Sequence, residues 1–148
     1  MNHAVNEQDN LRIAHEIVAA INAHDASAFT KHLDRSFLQE SETSGKLHGS
    51  DAAHARMTTL LQAFPDLHVT IENAMTSGDQ VMLQLHYTGT QTGNFAGVAA
   101  TNKKVSWHAC VVQRMKNGKA AEARLYADNL TLFGQLGVVQ IPKAATAG

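Results

Sequence analysis

Residues 104–127, KVSWHACVVQRMKNGKAAEARLYA, decide the fold. Two strand-like runs flank Lys116-Asn117-Gly118-Lys119, and Asn-Gly tolerates the positive φ that a tight hairpin requires. The segment therefore predicts antiparallel neighbours over Lys104–Met115 and Ala120–Ala127. Strand alternation puts Trp107, Ala109, Val111, Gln113 and Met115 on one side of the first run. Ser106, His108, Cys110, Val112 and Arg114 fall on the other. The first set is the more apolar and is expected to face inward, with His108 turned toward a partner or solvent. His108 and Gln113 have opposite parity, so they share a face only if a bulge intervenes.

Two more β-rich runs, His68–Ala74 and Gln80–Thr88, precede this hairpin. Their separators are Ser77-Gly78-Asp79 and the loop from Gly89 to Asn102. Further upstream the period changes. Leu11, Ile13, Ala14, Ile17, Val18, Ile21, Phe29 and Leu33 recur at steps of three and four, which predicts helices with one buried face. Asp25, Ala26 and Ser27 mark a break and a new N-cap. Phe37–Ser41 reads as a short strand, and SETSGKLHGS (41–50) as a polar loop. Ser50 or Asp51 caps a further helix that ends at Pro65. A last helix, Leu130–Leu136, is closed by Gly137, and the tail AATAG is expected to fray. Helices followed by a meander of strands give an α+β fold rather than βαβ alternation.

A chain of 148 residues has the common size of one domain, expected to span 1–148 with an ordered core of about 8–140. Its 12 Lys and Arg balance 13 Asp and Glu, with no run of like charge to engage phosphate backbones, so no nucleic acid partner is expected. The single cysteine, Cys110, permits no intrachain disulfide and suits a reducing cytoplasm. No stretch reads as a signal peptide or membrane span, and no membrane association is expected. The nine histidines are scattered, with no HxH or HExxH spacing, so no metal is expected from spacing. A site assembled from distant positions stays open. The chain has no Gly-rich phosphate loop, and no cofactor is expected.

Several strings occur in an order and spacing that resemble the SnoaL-like polyketide cyclases and their ester-cyclase relatives. They are Phe64-Pro65-Asp66-Leu67 before a strand, Gly78-Asp79 at a turn, and Gly89-Thr90 leading to Gly93, Phe95 and Gly97. Gly118-Lys119 with Glu122, and Asp128 followed by Gln135-Leu136-Gly137, complete the set. The resemblance implies a cone of curved sheet with the N-terminal helices packed over it, the superfamily of nuclear transport factor 2 and ketosteroid isomerase. It also implies a pocket for a small hydrophobic, carbonyl-containing ligand. Chains of this kind often show His and Trp directly after the Glu of the hairpin strand, where Ala123 and Arg124 stand here.

By position, the resemblance implies that Asp128 is the acid/base residue. Intramolecular aldol closure removes a proton from carbon flanked by carbonyls and returns one to an alkoxide, and one carboxyl can do both. An exposed Asp, with a reference pKa of ~3.9, is too weak a base for ordinary ketones. Either burial raises it or the substrate carries a doubly activated methylene. The enzymatic reading expects that carboxyl shielded from water at the mouth or wall of a hollow. The competing reading makes Asp128 the N-cap of the last helix. Trp107, Gln113, His108, Gln39, Glu40 and Arg124 are the candidate substrate-binding residues. Glu40 would pair with Asp128 or lie solvated on an edge strand, and Arg124 would clamp an anionic group or face outward. Isomerase, dehydratase or epoxide hydrolase chemistry is the enzymatic alternative, and a non-catalytic ligand-binding or dimerisation module the other. Two β-rich faces too apolar to leave wet predict a homodimer.

Overall fold

A computed structural model describes residues 6–142. The helices are α1 (Glu7–Asn22), α2 (Ala26–Lys31), α3 (Ser50–Ala63) and α4 (Asn129–Leu136). The strands are β1 (Leu33–Ser41), β2 (Gly45–His48), β3 (His68–Ser77), β4 (Gln80–Thr90), β5 (Lys104–Lys116) and β6 (Lys119–Ala127). The strands form one open sheet ordered β2-β1-β6-β5-β4-β3. Every neighbouring pair is antiparallel except β1 and β6, which run parallel. The tail AATAG lies outside the described residues.

The Asn-Gly hairpin forms as its chemistry requires, with Asn117 at φ 51° and Gly118 at φ 78°. The break before α2 also forms, and Asp25 accepts the Ala28 amide as its N-cap. Two expectations are corrected. Leu33 opens β1 instead of closing a helix, because the chain leaves α2 at His32 and Leu33 pairs with Ala120. The supposed loop 41–50 holds β2, a short strand whose turn residue Gly45 has φ 68°.

The helices pack over one face of the sheet. Ile13, Ala14, Ile17, Val18 and Ile21 of α1 are buried, matching the spacing read from sequence. Asn22 locks the end of α1 to β3: its side chain donates to Val69 O at 2.9 Å and accepts from Val69 N at 2.8 Å. Beyond the sheet, the loop after β4 is folded around one amide. Gln91 is fully buried and donates to the carbonyls of Gly93 and Val98, while its Oε1 accepts from the amide and hydroxyl of Thr101. Gly93 passes so close to α3 that a Cβ would sit 2.7 Å from Gln62 O. These constraints bring Phe95 back onto Phe64, edge to face at 5.2 Å. No helix among the described residues is long and apolar enough to cross a membrane.

Asp66 anchors the entry to this loop, accepting the Thr90 amide at 2.6 Å and the Thr90 hydroxyl at 2.7 Å. Those bonds hold its carboxyl below the ordinary value. A depressed native pKa contributes stability that is complete above the unfolded value of ~3.9 and is lost as pH falls through the native one. Asp66→Ala is therefore expected to melt below wild type at about pH 6, with the gap narrowing toward about pH 3. A gap independent of pH in paired thermal melts would contradict the anchor.

Candidate functional site

Between the helices and the sheet lies a cavity of about 480 Å³. This is within the range of small-molecule sites. Its floor is the inward face of the central strands: Leu83, Leu85 and Tyr87 of β4, Trp107, Ala109, Val111 and Gln113 of β5, and Ala123, Leu125 and Ala127 of β6. Ile17, Val18, Phe29, Met57 and Leu60 form the helical roof, and Phe95 of the Gln91 loop adds to one side. The hollow exists because the floor is built of small residues where strands meet. Ala109 pairs directly with Ala127, and Gln113 with Ala123.

Polar groups on this apolar wall are few. Gln113 is 7% exposed, and its Oε1 is buried with no hydrogen-bond partner. A buried acceptor without a donor costs ~1–3 kcal/mol unless something completes it. Gln39 lies across Ala123 on β1, since Gln39 and Gln113 are both register partners of Ala123. Two carboxamides thus bracket the smallest part of the floor. Six residues along β5, or about 20 Å at ~3.3 Å per residue, Trp107 stacks on Tyr87 with ring centroids 5.0 Å apart. Burial pushes the Tyr87 phenol up to about 12, so it remains a donor at neutral pH. Ser41, Thr43, Ser44, Thr59 and Asn129 add neutral polar groups, and Arg56 is the one charged residue among those lining the cavity.

The candidates read from sequence divide by strand parity. Trp107, Gln113 and Gln39 line the cavity. His108, Glu40 and Arg124 do not, because each is one residue from an inward position and points to the outer face. His108 approaches Glu72 there at 3.2 Å. Glu40 pairs with Arg124 at 3.4 Å, while Arg124 also reaches Glu42 at 3.9 Å and lies over the Tyr126 ring. A carboxyl pair between Glu40 and Asp128 is therefore not formed.

Asp128 does not meet the expectation of a shielded carboxyl. Ala127 is inward, and the Asp128 amide continues the ladder by donating to His108 O at 2.9 Å. The next side chain then falls outside, where Asp128 is exposed. Its two oxygens accept the Thr131 amide at 3.0 Å and the Thr131 hydroxyl at 2.7 Å, capping α4. These bonds lower its pKa, opposite to the shift a general base for ordinary ketones needs. Among the cavity-lining residues there is no carboxylate and no imidazole. Tyr87, Arg56 and Asn129 went unnoticed in the sequence. Of these, Tyr87 has a signal in the sequence, the strand parity that it shares with the apolar Leu83 and Leu85.

Comparisons with known proteins agree with this architecture. The family model described as SnoaL-like polyketide cyclase matches residues 11–136. The crystal structure of AclR from Streptomyces galilaeus, a proposed hydroxylase, is 30% identical at TM-score 0.81, covering 90% of this chain and 99% of that one. A proposed SnoaL-like polyketide cyclase from Jannaschia sp. CCS1 is 21% identical at TM-score 0.83, covering 94% and 99%. A protein from Catenulispora acidiphila with a ketosteroid isomerase-like fold is 16% identical at TM-score 0.74, covering 86% and 93%. The fold is thus the α+β cone. No curated protein matches the chain.

Proposed function

The chain belongs to the SnoaL-like polyketide cyclase family, and from that premise we propose that it closes a ring in a small, largely apolar carbonyl compound by intramolecular aldol addition. Confinement and neutral hydrogen bonds do this in place of a buried carboxylate. The observation that carries the reading is the apolar cavity with Gln113 and Gln39 in its lining, the Gln113 Oε1 lying buried just behind that surface without a partner among the protein groups. A rotation of the Gln113 side chain presents that oxygen to a ligand that donates an O–H in a setting otherwise suited to hydrocarbon.

A carbon between two carbonyls meets that requirement, because such compounds enolise without strong base. The enol O–H donates to Gln113, and the Gln39 amide is the nearby donor for the accepting carbonyl. The carbon–carbon bond forms from the enol carbon, the carbonyl π pair moves onto its oxygen, and the enol proton is exchanged through solvent for one on the new alkoxide. Atoms balance and no redox partner enters. The protein's share is to hold the chain folded, where well-oriented intramolecular reactions reach effective molarities of ~10⁵–10⁸ M. Tyr87 and Trp107 anchor the remote end of the ligand.

Turnover of a β-dicarbonyl ester analogue separates the two mechanisms. Asp128→Ala is expected to lose roughly 1 kcal/mol of stability with its cap while keeping its rate within a few-fold of wild type. Gln113→Leu is expected to lose most of the rate. Abolished turnover in a folded Asp128→Ala that still binds substrate would return the carboxylate to the mechanism.

We also infer that two chains pair through the outer face of the sheet. Met75, Met82 and Tyr126 are exposed there, and Met75 and Met82 are direct cross-strand partners. Sedimentation at micromolar concentration is expected to give a dimer, and a monomer would contradict this surface.

A further inference from the structure

On the face of the sheet opposite the cavity, Glu72, His86 and His108 are grouped so that one ligating atom of each lies within 4.8 Å of the others. We propose that these three side chains form a zinc site. The cluster has a structural cause at each position. His86 and His108 are cross-strand partners on β4 and β5, and their rings stack at 4.4 Å with an 11° tilt. Glu72 comes from β3 at the irregularity between Ile71 and Asn73, where the register with β4 shifts. That extra residue brings its Oε1 to 3.2 Å from His108 Nε2.

Two imidazoles and one carboxylate are the donor set that zinc accepts with a fourth position left open. Zinc takes His nitrogen at ~2.0–2.1 Å and carboxylate oxygen at ~2.0–2.2 Å, so tetrahedral ligand atoms sit roughly 3.4 Å apart. The Glu72–His108 pair is close to that spacing at 3.2 Å, and ligation requires the His86 ring to turn out of its stack on His108, which brings its nitrogen in from within 4.8 Å. In the metal-free arrangement His86 Nε2 meets Ser106 Oγ, and the Ser106 amide donates to Gln135 Oε1 at 2.7 Å. Asp128 flanks His108 in the next strand position and adds negative charge beside the site. In the single chain the side chains of His108 and Glu72 are 61% and 46% exposed, so an ion reaches them from solvent before two chains pair. The methionine pair Met75 and Met82 lies four residues along β4 from His86, about 13 Å away at ~3.3 Å per residue.

Sequence spacing concealed this group because its members come from three strands. The site is independent of the cavity chemistry, since the sheet separates them. Calorimetric titration of the metal-free protein with zinc is expected to show one strong site per chain. Cobalt in its place is expected to show the visible absorption of a four-coordinate site. His86→Ala and His108→Ala should each weaken zinc at least tenfold, and Glu72→Gln should do so without removing side-chain volume. His68→Ala, on the same face but outside the cluster, should leave the affinity unchanged. Equal affinity in wild type, His86→Ala and His108→Ala would overturn the assignment, as would binding lost only in Cys110→Ser.

Discussion

The alternation of side chains across β5 and β6 is the constraint from which the rest follows. A strand offers one residue in two to each face, and the helices cover only one. Val105, Trp107, Val111, Gln113 and Met115 are therefore buried while Ser106, His108, Cys110, Val112 and Arg114 are not. The same rule carries through β6, where Ala123, Leu125 and Ala127 line the cavity and Glu122, Arg124 and Tyr126 face away. Two chemistries result on one sheet. The inner face is apolar with a few neutral hydrogen-bonding groups, and the outer face holds all the candidate carboxylates and imidazoles.

Interiors ordinarily pack without voids, because lost dispersion contacts are costly. A 480 Å³ hollow is a departure that needs support from its rim. The small side chains Ala109, Ala123 and Ala127 open it from below, and large neighbours cannot collapse into it. Phe64 is pinned between Phe95 and Trp107, at 5.2 and 5.5 Å. The Gln91 amide fixes the loop that carries Phe95, and the Asn22 clamp fixes the helix that carries Ile17 and Val18. Stability is spent at the rim so that the centre can remain available to a ligand.

The fold was legible because it rests on local rules. The helical period of α1, the Asp25 cap and the Asn117-Gly118 turn each announce themselves, and together with the ordered strings around Phe64, Gly89 and Asp128 they identify the cone. β2 was missed because four residues bearing Gly45 and Lys46 carry no period, and only pairing with β1 makes them a strand. The site was half legible. Parity found Trp107 and Gln113, yet Asp128 was assigned by resemblance, and resemblance did not carry the parity of Ala127 one residue further. The Glu72–His86–His108 group was invisible to spacing, since register and a bulge create it.

The central claim is that the cavity accepts a ligand able to donate to Gln113. Trp107 is the only tryptophan and lies on the wall, so its emission reports occupancy directly. The decisive measurement titrates the protein with a phenolic polycyclic ligand and with its O-methyl ether. The account predicts tighter binding of the phenol by roughly three- to tenfold, the worth of one hydrogen bond to a buried acceptor, and no difference in Gln113→Leu. Equal affinity for phenol and ether in the wild-type protein, or no change in Trp107 emission with either, would contradict it.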